Sequence, residues 1–168
     1  GGQGSFDEFY EYVALLLHGN GANASTTFQD SSLYGRALTV GGSVKISTAQ
    51  SKFGGASILF SGADWLNVTV SQAGAIAFGD YTFECWVYPT SYASSTDNHI
   101  AHFKNDSSTA TTVLAWACDN QGIVKVSTGA VGLLQGGGTY KLTLNAWNHV
   151  AVTRSSGTMR LFVNGNID

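Results

Sequence analysis

Tyr81-Thr82-Phe83-Glu84-Cys85-Trp86-Val87-Tyr88-Pro89 alternates in two registers, with Tyr81, Phe83, Cys85 and Val87 on one side and Thr82, Glu84, Trp86 and Tyr88 on the other. Side chains of an extended chain alternate between faces, so a period of two residues over this length predicts a β-strand. Both sides carry apolar groups. That pattern predicts a central strand covered on both faces, with Trp86 in a core between two sheets. Pro89 has no N–H to give a ladder, so pairing is expected to stop there. The expected partner strand is Trp147-Asn148-His149-Val150-Ala151-Val152-Thr153-Arg154, with Val150 in the same core. The turn Ser155-Ser156-Gly157-Thr158 and the strand Met159-Arg160-Leu161-Phe162-Val163 follow, ending in Asn164-Gly165.

Working outward, short alternating runs separated by Gly-rich turns predict further strands at 13–18, 26–30, 37–40, 43–47, 56–60, 65–70, 100–103, 112–118, 123–127 and 140–144. In 65–70, Leu66, Val68 and Val70 are expected inward, and Trp65, Asn67 and Thr69 outward. No stretch shows a capped 3.6-residue apolar period, so almost no helix is expected. Many short strands with such turns predict two packed antiparallel sheets. Residues 1–12 read as a linker and an acidic, aromatic arm, either packed on the domain or touching a neighbour.

The ordered phrases Trp86-Val87-Tyr88-Pro89, then Trp147-Asn148-His149-Val150-Ala151-Val152-Thr153-Arg154, then Leu161-Phe162-Val163-Asn164-Gly165 resemble the laminin-G-like, concanavalin-A-like sandwich family. The wording is closest to the versions found in bacteriophage tail and other virion proteins. Residues 15–21, 28–32 and 46–57 agree with it, so the resemblance runs over most of 13–165. It implies an all-β antiparallel sandwich, a jelly roll, as a single domain over 13–168. It also implies a position on a virion surface or outside the cell, with other virion subunits and a host cell-surface glycan as partners. Relatives continue past the Val163-Asn164-Gly165 phrase with further strands. The expectation is therefore a sandwich lacking C-terminal strands, with the missing position filled by a longer native chain or by a neighbouring subunit.

Composition narrows the function classes. Charged residues make up 11% of the 168-residue chain, against about 25% in typical soluble domains. The formal net charge of -3, with scattered lysines and arginines, offers no basic stripe for phosphates and argues against nucleic acid. No apolar run approaches the ~20 residues needed for a spanning helix, so membrane insertion is not expected. Two cysteines, Cys85 and Cys118, do not make a disulfide framework. They either bridge or pack as small hydrophobes, and neither has a ligand-spaced Cys or His for zinc.

A glycosidase needs two carboxylates across one bond. Of the three glutamates, only Glu84 lies in a core strand, and no acid sits two residues from it. The chain is therefore read as non-catalytic, with a glycan hydrolase or lyase centred on Glu84 as an alternative and a purely structural subunit-contact domain as another. Among the four histidines, His99 and His102 are three apart, which places them on opposite faces of a regular strand. His149 is expected to satisfy a buried hydrogen bond.

The resemblance implies calcium, with Asp30 of Phe28-Gln29-Asp30-Ser31-Ser32 and Asp64 of Ser61-Gly62-Ala63-Asp64 as the matching ligands. Closing an Asx-turn is the commoner role for such residues, and Ser61 stands where relatives often carry an acid. Carbohydrate sites on sandwiches combine an exposed ring, which stacks on the sugar's apolar face, with amides and carboxylates that fix its hydroxyls. Trp65 with Asn67 is the first candidate, and Tyr92 with Asp97 and Asn98 the second. Trp86, Trp116 and Trp147 are expected in the core.

Overall fold

The computed structural model describes residues 7–68, 79–92, 98–104, 112–128, 132–135 and 139–168. The chain groups into two compact units, Gly1–Val70 and Ser71–Asp168.

The first unit contains two antiparallel pairs. Strand β1 (Leu38–Gly41) is paired by β4 (Trp65–Val68), and β2 (Lys45–Ser47) by β3 (Ser57–Leu59). In the first pair Thr39 lies opposite Asn67, and Gly41 opposite Trp65. In the second, Ile46 lies opposite Ile58, and Ile46 is buried with its neighbours Val44 and Ala56. A three-residue 3-10 turn, η1 (Tyr10–Tyr12), precedes them. The Tyr10 hydroxyl donates to the Ser31 carbonyl and tethers the arm, while Phe9 and Tyr12 stay exposed.

The strands expected at 13–18 and 26–30 do not form ladders. A single carboxylate takes their place. Asp30, 3% exposed, accepts the N–H groups of Leu16 (3.0 Å) and Ser32 (2.9 Å) on Oδ1. Its Oδ2 accepts the Arg36 N–H (3.0 Å) and the Ser32 hydroxyl (2.8 Å). The Arg36 guanidinium lies 3.9 Å from Oδ2 and also donates to the Ala14 carbonyl. The Ser31 N–H returns to the Leu16 carbonyl at 2.8 Å. These segments are extended without a ladder; the Leu16 N–H and the Ala14 carbonyl are met by side chains.

The second unit is a sandwich. Its strands are β5 (Tyr81–Val87), β6 (Asn98–Lys104), β7 (Thr112–Cys118), β8 (Val124–Thr128), β9 (Gly132–Gln135), β10 (Asn148–Ser155), β11 (Thr158–Val163) and β12 (Asn166–Ile167). They form two four-stranded antiparallel sheets, β12-β11-β10-β5 and β6-β7-β8-β9. Val150, Val152, Leu161 and Val163 of one sheet pack against Leu114, Trp116, Cys118, Val124 and Val126 of the other. Phe83 meets the rings of Phe103 (4.8 Å) and Trp116 (5.0 Å) edge-on across the gap. Each fully buried valine or leucine contributes about 1.5–3 kcal/mol, so this layer carries the unit.

The register of β5 is as expected, with Tyr81, Phe83, Cys85 and Val87 facing the core. Two other expectations are corrected. Among the described residues β5 pairs on one side only, with β10, so it closes the sheet rather than lying in its middle. Trp86 sits opposite His149 on the outer face and is 38% exposed, whereas Val150 is in the core at 0%. The outer apolar groups pack sideways on their strand neighbours: the Trp86 ring centroid is 5.1 Å from that of His149, and Tyr88 meets Trp147 at 5.4 Å. A second apolar face therefore does not require a covering layer.

The stretch 140–144 is also not a strand. Lys141 makes an isolated bridge to Ile123, the Leu142 N–H donates to the Gly122 carbonyl at 2.9 Å, and Thr143 is held by Asn148, 1% exposed. Its Oδ1 accepts the Thr143 N–H (2.9 Å), and its Nδ2 donates to the carbonyls of Thr143 (2.9 Å) and Ala146 (2.8 Å). After β11, Asn164 and Gly165 both have positive φ, 51° and 80°. That is the two-residue hairpin turn whose twist matches the flanking strands. It returns β12, where Ile167 pairs with Phe162. Cys85 and Cys118 are not bridged.

Candidate functional site

Trp65 opens β4 opposite Gly41, the last residue of β1. The indole lies over the Gly41 backbone: a methyl group placed there would fall inside Cε2, Cζ2 and Nε1 of the ring. Only glycine allows that approach. The ring is thus seated on the sheet from one side, while 51% of the residue remains exposed. One pair further along the same face stand Asn67 and Thr39, both exposed. The Thr39 hydroxyl donates to the Asn67 carbonyl at 3.5 Å. A seated ring with an amide and a hydroxyl beside it is the donor set that grips a sugar by one apolar face and its equatorial hydroxyls. Leu66 and Val68 are half-buried on the opposite face, as the alternation predicts. Thr69 lies outside the described residues.

Asp64 holds the end of this platform in place. Its Oδ1 accepts the Ser43 N–H (2.7 Å), and its Oδ2 accepts the N–H (2.7 Å) and hydroxyl (3.0 Å) of Ser61. One carboxylate therefore closes the turn after β1 and the turn before β4. The Ser43 and Ser61 N–H groups hold its pKa below the usual carboxylate value. At Asp30, burial alone would raise the pKa. The N–H groups of Arg36, Leu16 and Ser32 and the Ser32 hydroxyl outweigh it and bring it to about 2. A carboxylate has about four lone-pair sites, and the hydrogen bonds at Asp30 occupy them from within the fold. The two aspartates belong to different turns and act as acceptors for backbone donors. Among the described residues no three His, Cys, Asp or Glu side chains converge as a metal site.

The second expected cluster is not assembled as an open surface. Tyr92 is half-buried against the inter-sheet core, and its hydroxyl donates to the Leu142 carbonyl at 2.7 Å. Asn98 Nδ2 donates to the Cys118 carbonyl at 3.2 Å. Tyr92 thus joins its segment to the 140–144 stretch, Asn98, the first residue of β6, is tied to the end of β7, and Asp97 lies outside the described residues. Of the other tryptophans, Trp116 is fully buried as expected, while Trp147 is half-buried beside Tyr88.

Glu84 stands on the outer face of β5, its Oε2 3.4 Å from His149 Nε2. His149 therefore meets an exposed carboxylate and an indole rather than a buried partner. Along the described chain around β5 the next acid is Asp80, four residues away, or about 13 Å at ~3.3 Å per residue. That is wider than the ~5–9.5 Å separating glycosidase carboxylates.

Sequence reasoning passed over Gly41 and Thr39, although a glycine inside a strand is itself a signal of close backbone approach. It also separated His99 from His102. A bulge at Ile100 puts both on one face, with ring centroids 4.8 Å apart.

Residues 60–167 match the concanavalin A-like lectin/glucanases superfamily, and the chain belongs to it. Its sheets are those of an antiparallel jelly-roll sandwich. Among solved structures it is similar to domain 4 of a GH43 extracellular arabinanase from Geobacillus stearothermophilus, in complex with arabinotriose, at a TM-score of 0.53 and 16% identity. The match covers 82% of this chain and 66% of that one. No curated protein matches.

Proposed function

We propose that the chain is a non-catalytic carbohydrate-binding module that grips an oligosaccharide on the Trp65 indole, with Asn67 and Thr39 fixing the sugar's hydroxyls. The observation that carries this reading is the ring seated on Gly41 and half exposed. A platform held from below presents its stacking face without an ordering cost on binding. Membership in a lectin-like superfamily supports the ligand class, as does the likeness to a domain solved with arabinotriose. That no acid of its own strand stands two residues from Glu84 supports binding without turnover. The resemblance of the Trp147–Arg154 phrase to virion-borne relatives supports a virion-surface position, a host cell-surface glycan as target and other virion subunits as neighbours.

The test is a glycan array probed with the wild-type chain, Trp65→Ala and Glu84→Gln. The reading expects binding to a restricted set of glycans and a loss of about 1–3 kcal/mol in Trp65→Ala, the scale of one large apolar contact. It expects no change and no released sugar for Glu84→Gln. Turnover abolished by Glu84→Gln would make the chain an enzyme. Silence across the array, with the domain still bound in its particle, would make it a structural contact domain.

A further inference from the structure

A second candidate site lies within the second unit, on the face of sheet β6-β7-β8-β9 that is turned away from the inter-sheet core. The ladder between β6 and β7 slips after His99. His99 lies opposite Ala117, Ala101 opposite Trp116 and His102 opposite Ala115, so Ile100 is the extra residue of a β-bulge. A bulge re-aims the side chains that follow it. Here it turns a spacing of three residues, which would divide the histidines between faces, into two successive positions of one face. Both histidines are exposed. Their rings are 4.8 Å apart and inclined by 33°.

We propose that His99 and His102 form a chelating pair for a divalent late transition metal such as Zn2+, Ni2+ or Cu2+. Imidazole nitrogen is the borderline donor these ions select, whereas Ca2+ and Mg2+ require oxygen ligands. Zinc–nitrogen bonds of about 2.0–2.1 Å place two ligating nitrogens about 3.4 Å apart around a tetrahedral ion. Rings whose centres are 4.8 Å apart reach that separation by rotation about their own side-chain bonds. The residues directly opposite them on β7, Ala117 and Ala115, carry nothing beyond Cβ. On the next strand Lys125 lies opposite Ala117, about 9–10 Å from His99 across two strand spacings. Its Nζ is held 3.8 Å from Asp119 Oδ2, which offsets its charge towards an incoming cation. Two protein ligands leave further coordination positions for water or an external donor, making an open site rather than a closed structural one.

The experiment is a titration of the full chain with ZnCl2 alone, followed by amide NMR shifts, and repeated with NiSO4. Saturating shifts confined to β6 and the facing part of β7, at one ion per chain, are expected. His99→Ala and His102→Ala should each weaken binding by about tenfold or more, since even outer-sphere partners of a metal ligand are worth that much. The double variant should abolish it, and CaCl2 in excess should not compete. His18→Ala and His149→Ala should leave the titration unchanged. Amide dispersion of each variant shows that it is folded. Absence of shifts in the wild type, shifts centred on His18 or His149, or undiminished affinity in a folded double variant would each overturn the proposal.

Discussion

Replacing Asp30 with asparagine tests how the first unit holds its extended N-terminal segments. The carboxyl falls from its usual 3.8 to about 2 because the N–H groups of Arg36, Leu16 and Ser32 overcome its burial. At about 1.4 kcal/mol per pH unit this is worth about 2 kcal/mol of folding free energy at neutral pH. The geometry gives a similar figure by a separate route. An amide keeps one acceptor oxygen, which can still receive Leu16 and Ser32, but its NH2 would face the Arg36 N–H. Leaving that donor unmet costs about 1–3 kcal/mol, and more beside the guanidinium. These are two views of the same contacts and do not add. Asp30→Asn is therefore expected to lower stability by about 2–4 kcal/mol at neutral pH.

The sign of the pH dependence follows from the depressed value. The carboxylate's contribution is fully present above the unfolded pKa of 3.8 and is lost as pH falls towards about 2. Urea unfolding of both proteins, followed by far-ultraviolet circular dichroism at about pH 5 and about pH 2.5, should show the gap between them narrowing at the lower pH. Equal stability at both pH values, or a gap that does not change, would refute the assignment of Asp30 as the internal acceptor.

Gly41→Ala should displace the Trp65 indole and cut glycan affinity at least as much as Trp65→Ala, while the chain stays folded by circular dichroism; full affinity would show that the ring does not need its seat. Asn148→Ala leaves the Thr143 N–H and two carbonyls without their buried partner and is expected to cost about 2–4 kcal/mol in denaturant melts, against under about 1 kcal/mol if the loop re-forms on water. Cys85 should resist thiol reagents in the folded protein near neutral pH. Burial, with Glu84 adding, pushes its thiol up to about 12, and the thiolate is the reactive form; rapid labelling before unfolding would contradict its place in the core.

The sandwich was legible wherever period-two patterning coincided with a stop signal. β5 with Pro89, and β10 and β11 with their polar turn, have nearly the bounds that the alternation predicts. Alternation says which residues share a face but not which face is inward, and β5 is apolar on both, so Trp86 was misplaced. The short strand β9 reads Gly-Leu-Leu-Gln, with its leucines adjacent and no alternation to find. Segments 13–18 and 26–30 alternate like strands, yet what ties them together is Asp30, which bonds Leu16 14 residues away. Nothing local reveals such a hub. At the candidate site, Trp65 and Asn67 were legible as outward residues of one strand. Their seat on Gly41 depended on the register with β1, which pattern alone does not supply. The Ile100 bulge that gathers His99 and His102 was invisible for the same reason.

The central claim, that Trp65 is the contact surface for an oligosaccharide, is tested most directly by the indole N–H resonances in an NMR titration. Arabinotriose is the first probe, followed by whichever oligosaccharides the array selects. The chain has four tryptophans, each with one indole N–H, and Trp116, fully buried, serves as the internal control. The account predicts that the Trp65 indole and the Asn67 side-chain amide shift together and saturate, while Trp116 stays fixed and Trp65→Ala removes the response. Saturating shifts that centre on Trp86 or Trp147 and leave Trp65 unmoved would contradict it.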